Sequence, residues 1–234
     1  MRPPIYRPKG AALEYGEWAL NIYDGCPHKC PYCYVPLVMH RNREAFHENV
    51  SPRPGIVKET REQLERTGMT GETIFLCFSC DPFPTGYDCT PTLDIIRVLK
   101  EHGNHVRILT KGDGNCAIDL LDKKDWYGIT VDETRAVFTT ASPAHSTFRR
   151  ALSLGIKTWI SFEPVLYPET VLLEIESAAK LGVDKVKIGK LNYGKPPNPI
   201  NWATFGREAE ALCQKLGVDY YIKSSLRREM EGGA

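Results

Sequence analysis

The stretch NIYDGCPHKCPYCY, residues 21–34, decides how the rest of the chain is read. Cys26, Cys30 and Cys33 stand at C-x3-C-x2-C, with Tyr32 just before the third cysteine. An apolar, strand-like run over residues 18–23 leads straight into this loop. Three thiolates on one short loop can hold three irons of a [4Fe–4S] cube and leave the fourth iron without a protein ligand. A cluster that only carries electrons is normally held by four cysteines. The alternative is a structural module without enzymatic activity, in which zinc or a cluster only holds the N-terminal loop together. A zinc site wants four Cys/His ligands, and His28 lies inside the loop as a nearby fourth donor. A strand, then the cysteine loop near the N-terminus, then a long α/β chain favours the open cluster.

The composition fits an intracellular enzyme. A chain of 234 residues suits a single α/β domain, since barrel-like folds often run this long without dividing. Charged residues are 25% with a net charge of +1, so no strong overall field draws the chain to nucleic acid or membrane. No apolar run approaches the length of a transmembrane helix, and the first ten residues have no apolar signal-peptide core. Eight cysteines in such a chain read as thiols and metal ligands in a reducing compartment rather than as disulfides. The expected location is the cytoplasm, with no membrane partner.

Beyond the loop, strand-like and helix-like periods alternate. Strands are expected at residues 18–23, 72–79, 105–110, 126–131, 157–162, 184–188 and 218–222. Helices are expected at 56–66, 91–102, 115–123, 142–154, 168–181 and 201–216. Pro91 suits a first turn, Ser142 an N-cap, and Gly103, Gly155, Gly182 and Gly217 the helix stops. About seven βα units in series imply a parallel sheet with right-handed crossovers. Six or seven strands with one helix each can curl into a partial (β/α) barrel, and an open doubly wound sheet is the alternative. Residues 1–234 read as one domain.

In parallel α/β folds the reactive groups gather at the C-terminal ends of the strands. Those ends are the cysteine loop, residues 79–83, 110–112, 132–133, 163–164, 189–192 and 223–225. They set polar and charged groups such as Ser79, Asp81, Lys111, Glu133, Glu163 and Lys223 beside apolar strand bodies, as a site for a charged cofactor requires.

The cysteine spacing, with its aromatic residue and its place after the first strand, resembles the signature of the radical S-adenosylmethionine (radical SAM) enzymes. The loop YxGCxHxCxYCY from Tyr23 to Tyr34, the Ser79-Cys80-Asp81-Pro82-Phe83 turn, Leu109-Thr110-Lys111, and Asp119 with Asp122 are similar to the spore photoproduct lyase-like branch of that family. The resemblance is good from Leu20 to about Val131 and looser afterwards. It implies a partial-barrel fold, a [4Fe–4S] cluster on Cys26, Cys30 and Cys33, and SAM as cofactor. It further implies a lyase-like reaction on a nucleic-acid or nucleotide substrate, with a reductase such as flavodoxin or ferredoxin as electron source. Tyr32 would lie near the SAM adenine. Ser79 and Asp81 would bond the SAM ammonium or order its loop, Lys111 would pair with the SAM carboxylate, and Glu163 would accept from ribose hydroxyls. Cys80 or Cys77 would donate a hydrogen atom to a substrate radical; alternation along a strand places the two on opposite faces. Three departures stand out: Pro84 replaces a glutamine common in the branch, the chain is shorter than the DNA-repair members, and no basic, aromatic-bearing hairpin is visible. Cys77, Cys80, Cys89 and Cys116 are too irregularly spaced to argue for a second cluster. Cys213 reads as a core residue.

Overall fold

The computed structural model describes residues 3–132 and 143–232. A 3-10 turn over Gly10–Tyr15 precedes strand β1 (Trp18–Leu20), β2 (Tyr23–Asp24), helices α1 (Val35–Val38) and α2 (Arg43–Glu48), and β3 (Ser51–Pro52). Then come α3 (Ile56–Thr67), β4 (Thr73–Leu76), α4 (Thr90–Glu101), β5 (His105–Thr110) and a 3-10 turn at Asn115–Leu120. The chain continues with β6 (Trp126–Thr130), α5 (Pro143–Ser153), β7 (Lys157–Val165), α6 (Pro168–Leu181), β8 (Lys185–Lys190), α7 (Trp202–Leu216), β9 (Tyr220–Ile222) and α8 (Ser224–Gly232). Seven strands form one sheet in the order β1-β4-β5-β6-β7-β8-β9, and every neighbouring pair is parallel.

This sheet is curled. Flat strands lie about 4.8 Å apart, so β4 and β7, three steps apart, would be separated by roughly 14 Å. Phe75 of β4 and Trp159 of β7 instead have ring centroids 6.5 Å apart. The result is a half-barrel with helices outside. Buried Ile74, Ile108, Ile129, Ile160 and Ile188 of the strands join Ile95, Phe148, Ile175 and Phe205 of the helices in the main core. A small second cluster of Tyr15, Ala19, Phe75 and Trp159 fills the inside.

Local rules account for most boundaries. Asn201 caps α7 by accepting a hydrogen bond from the Thr204 N–H, and Gly182 stops α6 with φ of 75°, which a side-chain-bearing residue seldom adopts. Two strands are shorter than the sequence predicts. β1 stops at Leu20 because the Asn21 side chain turns across to accept from the N–H groups of Phe78 and Ser79, while Tyr23–Asp24 pairs antiparallel with β3. β4 stops at Leu76 because Cys77 takes a left-handed φ of 71°. The 3-10 turn ends at Leu120, where Leu121 is extended. Ser142, expected as an N-cap, and Glu133 lie outside the described residues.

The 3-10 turn at 10–15 is tied to β5, β8 and the start of α8. Arg107 donates to the Tyr15 carbonyl at 2.7 Å, Lys187 donates to the Glu14 carbonyl, and the Ser224 N–H donates to the Glu14 carboxylate at 2.9 Å. Lys187 is 5% exposed, with its ammonium 3.7 Å from the Tyr15 ring centre and 4.9 Å from that of Tyr221. Burial, and then the neighbouring Lys223, push its pKa down to about 7 from an ordinary 10.5. The unfolded chain therefore holds this proton through a window where the folded chain has released it, so stability rises with pH across that window. Urea midpoints should climb between about pH 7 and about pH 10, and the Lys187→Met variant should show a flatter profile over the same range. Identical pH profiles would show that Lys187 titrates normally.

Candidate functional site

The cysteine loop sits at the C-terminal mouth of the half-barrel and is held from behind by α2. Arg43 donates to the carbonyls of Cys33 and Pro31 at 3.0 Å each and also to that of Cys30. His47 Nδ1 meets the Cys26 carbonyl at 2.8 Å, and the Cys26 N–H donates to Phe46. Gly25 has φ of 83°, and a Cβ there would lie 2.2 Å from the Asn49 carbonyl oxygen. The loop is thus fixed through its backbone carbonyl and N–H groups rather than through its sulfurs. Cys30 is buried, and Cys26 and Cys33 are half-buried.

The donor set fits a polynuclear cluster. Three thiols of one loop are the ligands such a cluster takes from a protein, and Cys26, Cys30 and Cys33 are all free. A second group, His105, Asp122 and Asp125, brings three ligand atoms within 4.8 Å of one another elsewhere in the chain. His28, the other zinc donor in the loop, has Nε2 3.2 Å from Asp81 Oδ2. Burial, with Asp81 nearby, pushes the Cys26 thiol up to about 12, and burial raises Cys33. Metal charge offsets that cost of ionising the thiols. The His105 group is occupied from within the chain, because Lys100 bonds both Asp122 and Asp125.

In front of the loop lies a cavity of about 660 Å³, lined by Tyr32, Tyr34, Cys77, Cys80, Asp81, Lys111 and Glu163 among others. Of the residues singled out in the sequence, these share one chamber; Cys26, Cys30 and Cys33 stand behind Tyr32 and Tyr34 rather than in its lining, and Ser79 does not line it. Its N–H is bonded to Asn21, and its hydroxyl accepts from Arg53 at 3.4 Å. Tyr32 donates its hydroxyl to Asp132, and Lys111 sets its ammonium 5.7 Å from the Tyr32 ring centre. Asp81, 7% exposed, accepts from the Phe83 N–H at 2.8 Å, the Thr110 hydroxyl at 2.5 Å and the Lys111 N–H at 2.9 Å. Although burial opposes ionisation, His28 and these donors hold its carboxyl below the usual value. Glu163 is gripped by Lys223 at 2.8 Å and by the Tyr15 hydroxyl.

The expectation that Cys77 and Cys80 face opposite ways is corrected. It assumed a strand running to Ser79, whereas the left-handed turn at Cys77 ends the alternation and both residues line the cavity. Burial and the adjacent Cys80 raise the Cys77 thiol. Sequence reasoning missed the stacked pair Tyr34 and Tyr193 at the mouth, with centroids 5.5 Å apart and planes 19° from parallel. It also missed Tyr15, which lines the cavity beside Phe75. Only the aromatic character of these residues marked them, and that is shared with many core positions.

No family model matches the chain. Uncharacterised proteins of Mycobacterium tuberculosis and Mycobacterium bovis are 30% identical over 112 residues, a match covering 45% of this chain and 32% of each relative. Among solved structures, spore photoproduct lyase complexed with dinucleoside spore photoproduct superposes with a TM-score of 0.63 at 12% identity, covering 88% of this chain and 76% of that one. A substituted spore photoproduct lyase with bound AdoMet and the same dinucleoside gives 0.57 at 14% identity, covering 87% and 62%. Streptococcus suis SuiB bound to precursor peptide SuiA gives 0.66 at 14% identity, covering 92% and 51%. Among the described residues no helix is long and apolar enough to cross a membrane. The curled sheet of seven parallel strands and these superpositions together establish that the chain has the radical SAM type of half-barrel fold, like that of spore photoproduct lyase.

Proposed function

We propose that this chain is a radical SAM enzyme whose cluster is held by Cys26, Cys30 and Cys33. The carrying observation is three free thiols on one loop that is fixed through its backbone and whose Tyr32 and Tyr34 line the large cavity of this fold. A [4Fe–4S] cluster held there would supply an open iron for the amino and carboxylate groups of SAM and, with one electron from a flavodoxin or ferredoxin, the reductive cleavage of the sulfonium C–S bond. The chain's residues supply the setting. Lys111 offers its ammonium to the SAM carboxylate, and Tyr32 offers its ring to the adenine. Asp81 orders the loop they share, since its oxygens already accept from the chain. Glu163, held between Lys223 and Tyr15, faces the cavity as an acceptor for ribose hydroxyls. Cys77 and Cys80 together form the candidate hydrogen-atom donor.

A nucleotide or nucleic-acid substrate is supported by the half-exposed Tyr34–Tyr193 stack and by Lys9, Lys190 and Arg228 on the same cavity. Flat rings beside cations suit a base with its phosphate. Anaerobic reconstitution tests the proposal. About four irons and four sulfides per chain, with 5′-deoxyadenosine formed from SAM under dithionite, is the expected result. One zinc per chain and no SAM cleavage would overturn it in favour of a structural metal module.

Lys111→Ala separates cofactor binding from folding, because among the described residues its ammonium makes no ion pair and rests only against the Tyr32 ring. Removing a charge-assisted bond worth about 1.5–3 kcal/mol should weaken SAM binding roughly ten- to a hundredfold. The melting temperature should stay within about 2 °C of the parent's. SAM titration followed by the cluster's spectrum reads this directly, and a change under about threefold would make Lys111 a solvated rim residue.

A further inference from the structure

Two cysteines that the proposed function does not use are in contact. Cys89 immediately precedes α4, and Cys116 lies in the 3-10 turn after β5. Their Sγ atoms are 3.0 Å apart, although the residues are 27 positions apart in sequence. Neither lines the cavity. Cys116 is exposed and Cys89 half-buried, so a small reagent reaches the pair from solvent.

The separation discriminates among uses. It is too short for two ligands of one tetrahedral metal ion, whose sulfurs stand roughly 3.8 Å apart, and shorter still than the spacing across a cube. It is about 1 Å longer than a formed S–S bond. Both sulfurs are also carried on well-anchored backbone. Thr92, in the first turn of α4, is fully buried and bonded to the Pro82 carbonyl at 2.6 Å. Ala117 and Ile118, next to Cys116, are buried in the main core. The encounter is therefore built into the fold.

We propose that Cys89 and Cys116 are a reversible thiol–disulfide site, oxidised by low-molecular-weight disulfides. One cysteine of the pair, as its thiolate, attacks one sulfur of the small disulfide, forming a mixed disulfide and releasing one small thiol. The other then attacks the protein sulfur of that mixed disulfide, forming the Cys89–Cys116 bond and releasing the second small thiol. Two protein thiols are oxidised, one small disulfide is reduced to two thiols, and the two protons leave with them. The bond ties the loop after β4, which carries Asp81, to the turn that follows Lys111. Oxidation thus staples the loop that carries Asp81 to the turn just beyond Lys111, both of which residues line the cavity, and it does so without touching Cys26, Cys30 or Cys33. This inference stands whether or not the proposed function is correct.

The test uses the full chain carrying its native metal content. The protein is equilibrated without oxygen in a roughly tenfold excess of oxidised over reduced glutathione. Free thiols are then trapped with iodoacetamide, and the peptides are mapped by mass spectrometry. Most molecules should yield a peptide containing Cys89 joined to one containing Cys116, released by dithiothreitol. The melting temperature should rise by about 5–10 °C, because a loop of this length is closed in the unfolded state. A Cys116→Ser control, whose position is exposed, should fold as the parent does under reducing conditions and show no such rise. Recovery of Cys89 and Cys116 both alkylated, as separate glutathione adducts, or bonded to other cysteines would overturn the proposal.

Discussion

Cys30→Ala should reduce 5′-deoxyadenosine formation from SAM to background, and Cys26→Ala and Cys33→Ala should do the same. Each substitution leaves a second iron of the cube without a protein thiolate, and the loop has no spare donor to replace it. His28, the one other metal-ligating side chain between Cys26 and Cys33, is already engaged by Asp81. Arg43 and His47 hold carbonyl oxygens of the loop, so the backbone should keep its course while iron is lost. The contrast is Cys213→Ala, a fully buried core position on α7. It should retain cluster and turnover and lose only about 1 kcal/mol of stability to a small cavity. Iron and sulfide analysis beside a single-turnover SAM assay reads all four variants. Undiminished turnover in Cys30→Ala would remove the cysteine loop from the proposal.

Asp81→Ala should be the most damaging substitution for the fold around the site. The carboxylate accepts from the Phe83 and Lys111 N–H groups and the Thr110 hydroxyl, and it faces His28. Truncation strands these buried donors together. Removing one partner from such a network costs about 3–5 kcal/mol, or roughly 10 °C in melting temperature for a chain of this size. The sign of the pH dependence follows from the carboxyl being held below its ordinary 3.8. Its contribution is fully present above the unfolded value and is lost as pH falls through the lower folded value. The gap between parent and variant should therefore be constant from neutral pH to about pH 5 and should close in stronger acid. Paired urea titrations at several pH values measure it. A gap below about 1 kcal/mol at neutral pH would mean that water replaces the carboxylate cheaply.

The parallel half-barrel was legible because its strands are short, nearly continuous apolar runs punctuated by glycine and proline, the pattern of strands covered on one face by helices. α1 and α2 were not legible, since four and six residues are too few for a helical period to show. α8 was missed because Leu226 and Met230 are its only buried side chains in an otherwise polar run. Within the site, the cysteine spacing was readable because all its parts are local. What holds the loop was not, because Arg43 and His47 grip carbonyl oxygens, which every residue possesses. The same limit hid the pairing of Tyr15 with Glu163, which are 148 positions apart, and the turn at Cys77 that brings two thiols to one side. Ser79 shows the opposite error: a rim position by sequence, it is drawn off the cavity by Asn21 and Arg53.

The segment from Gly10 to Tyr15 has a further consequence for traffic. Tyr15 and Phe75 face the cavity, while Trp159 and Lys187 pack against Tyr15 without lining it. The turn is therefore a wall of the chamber supplied by the chain ahead of the first strand, and it is tied down through Arg107, Lys187 and Ser224. What the chamber admits on that side is set by how tightly these few residues are held, so a loosened turn would widen the room without disturbing the cysteine loop.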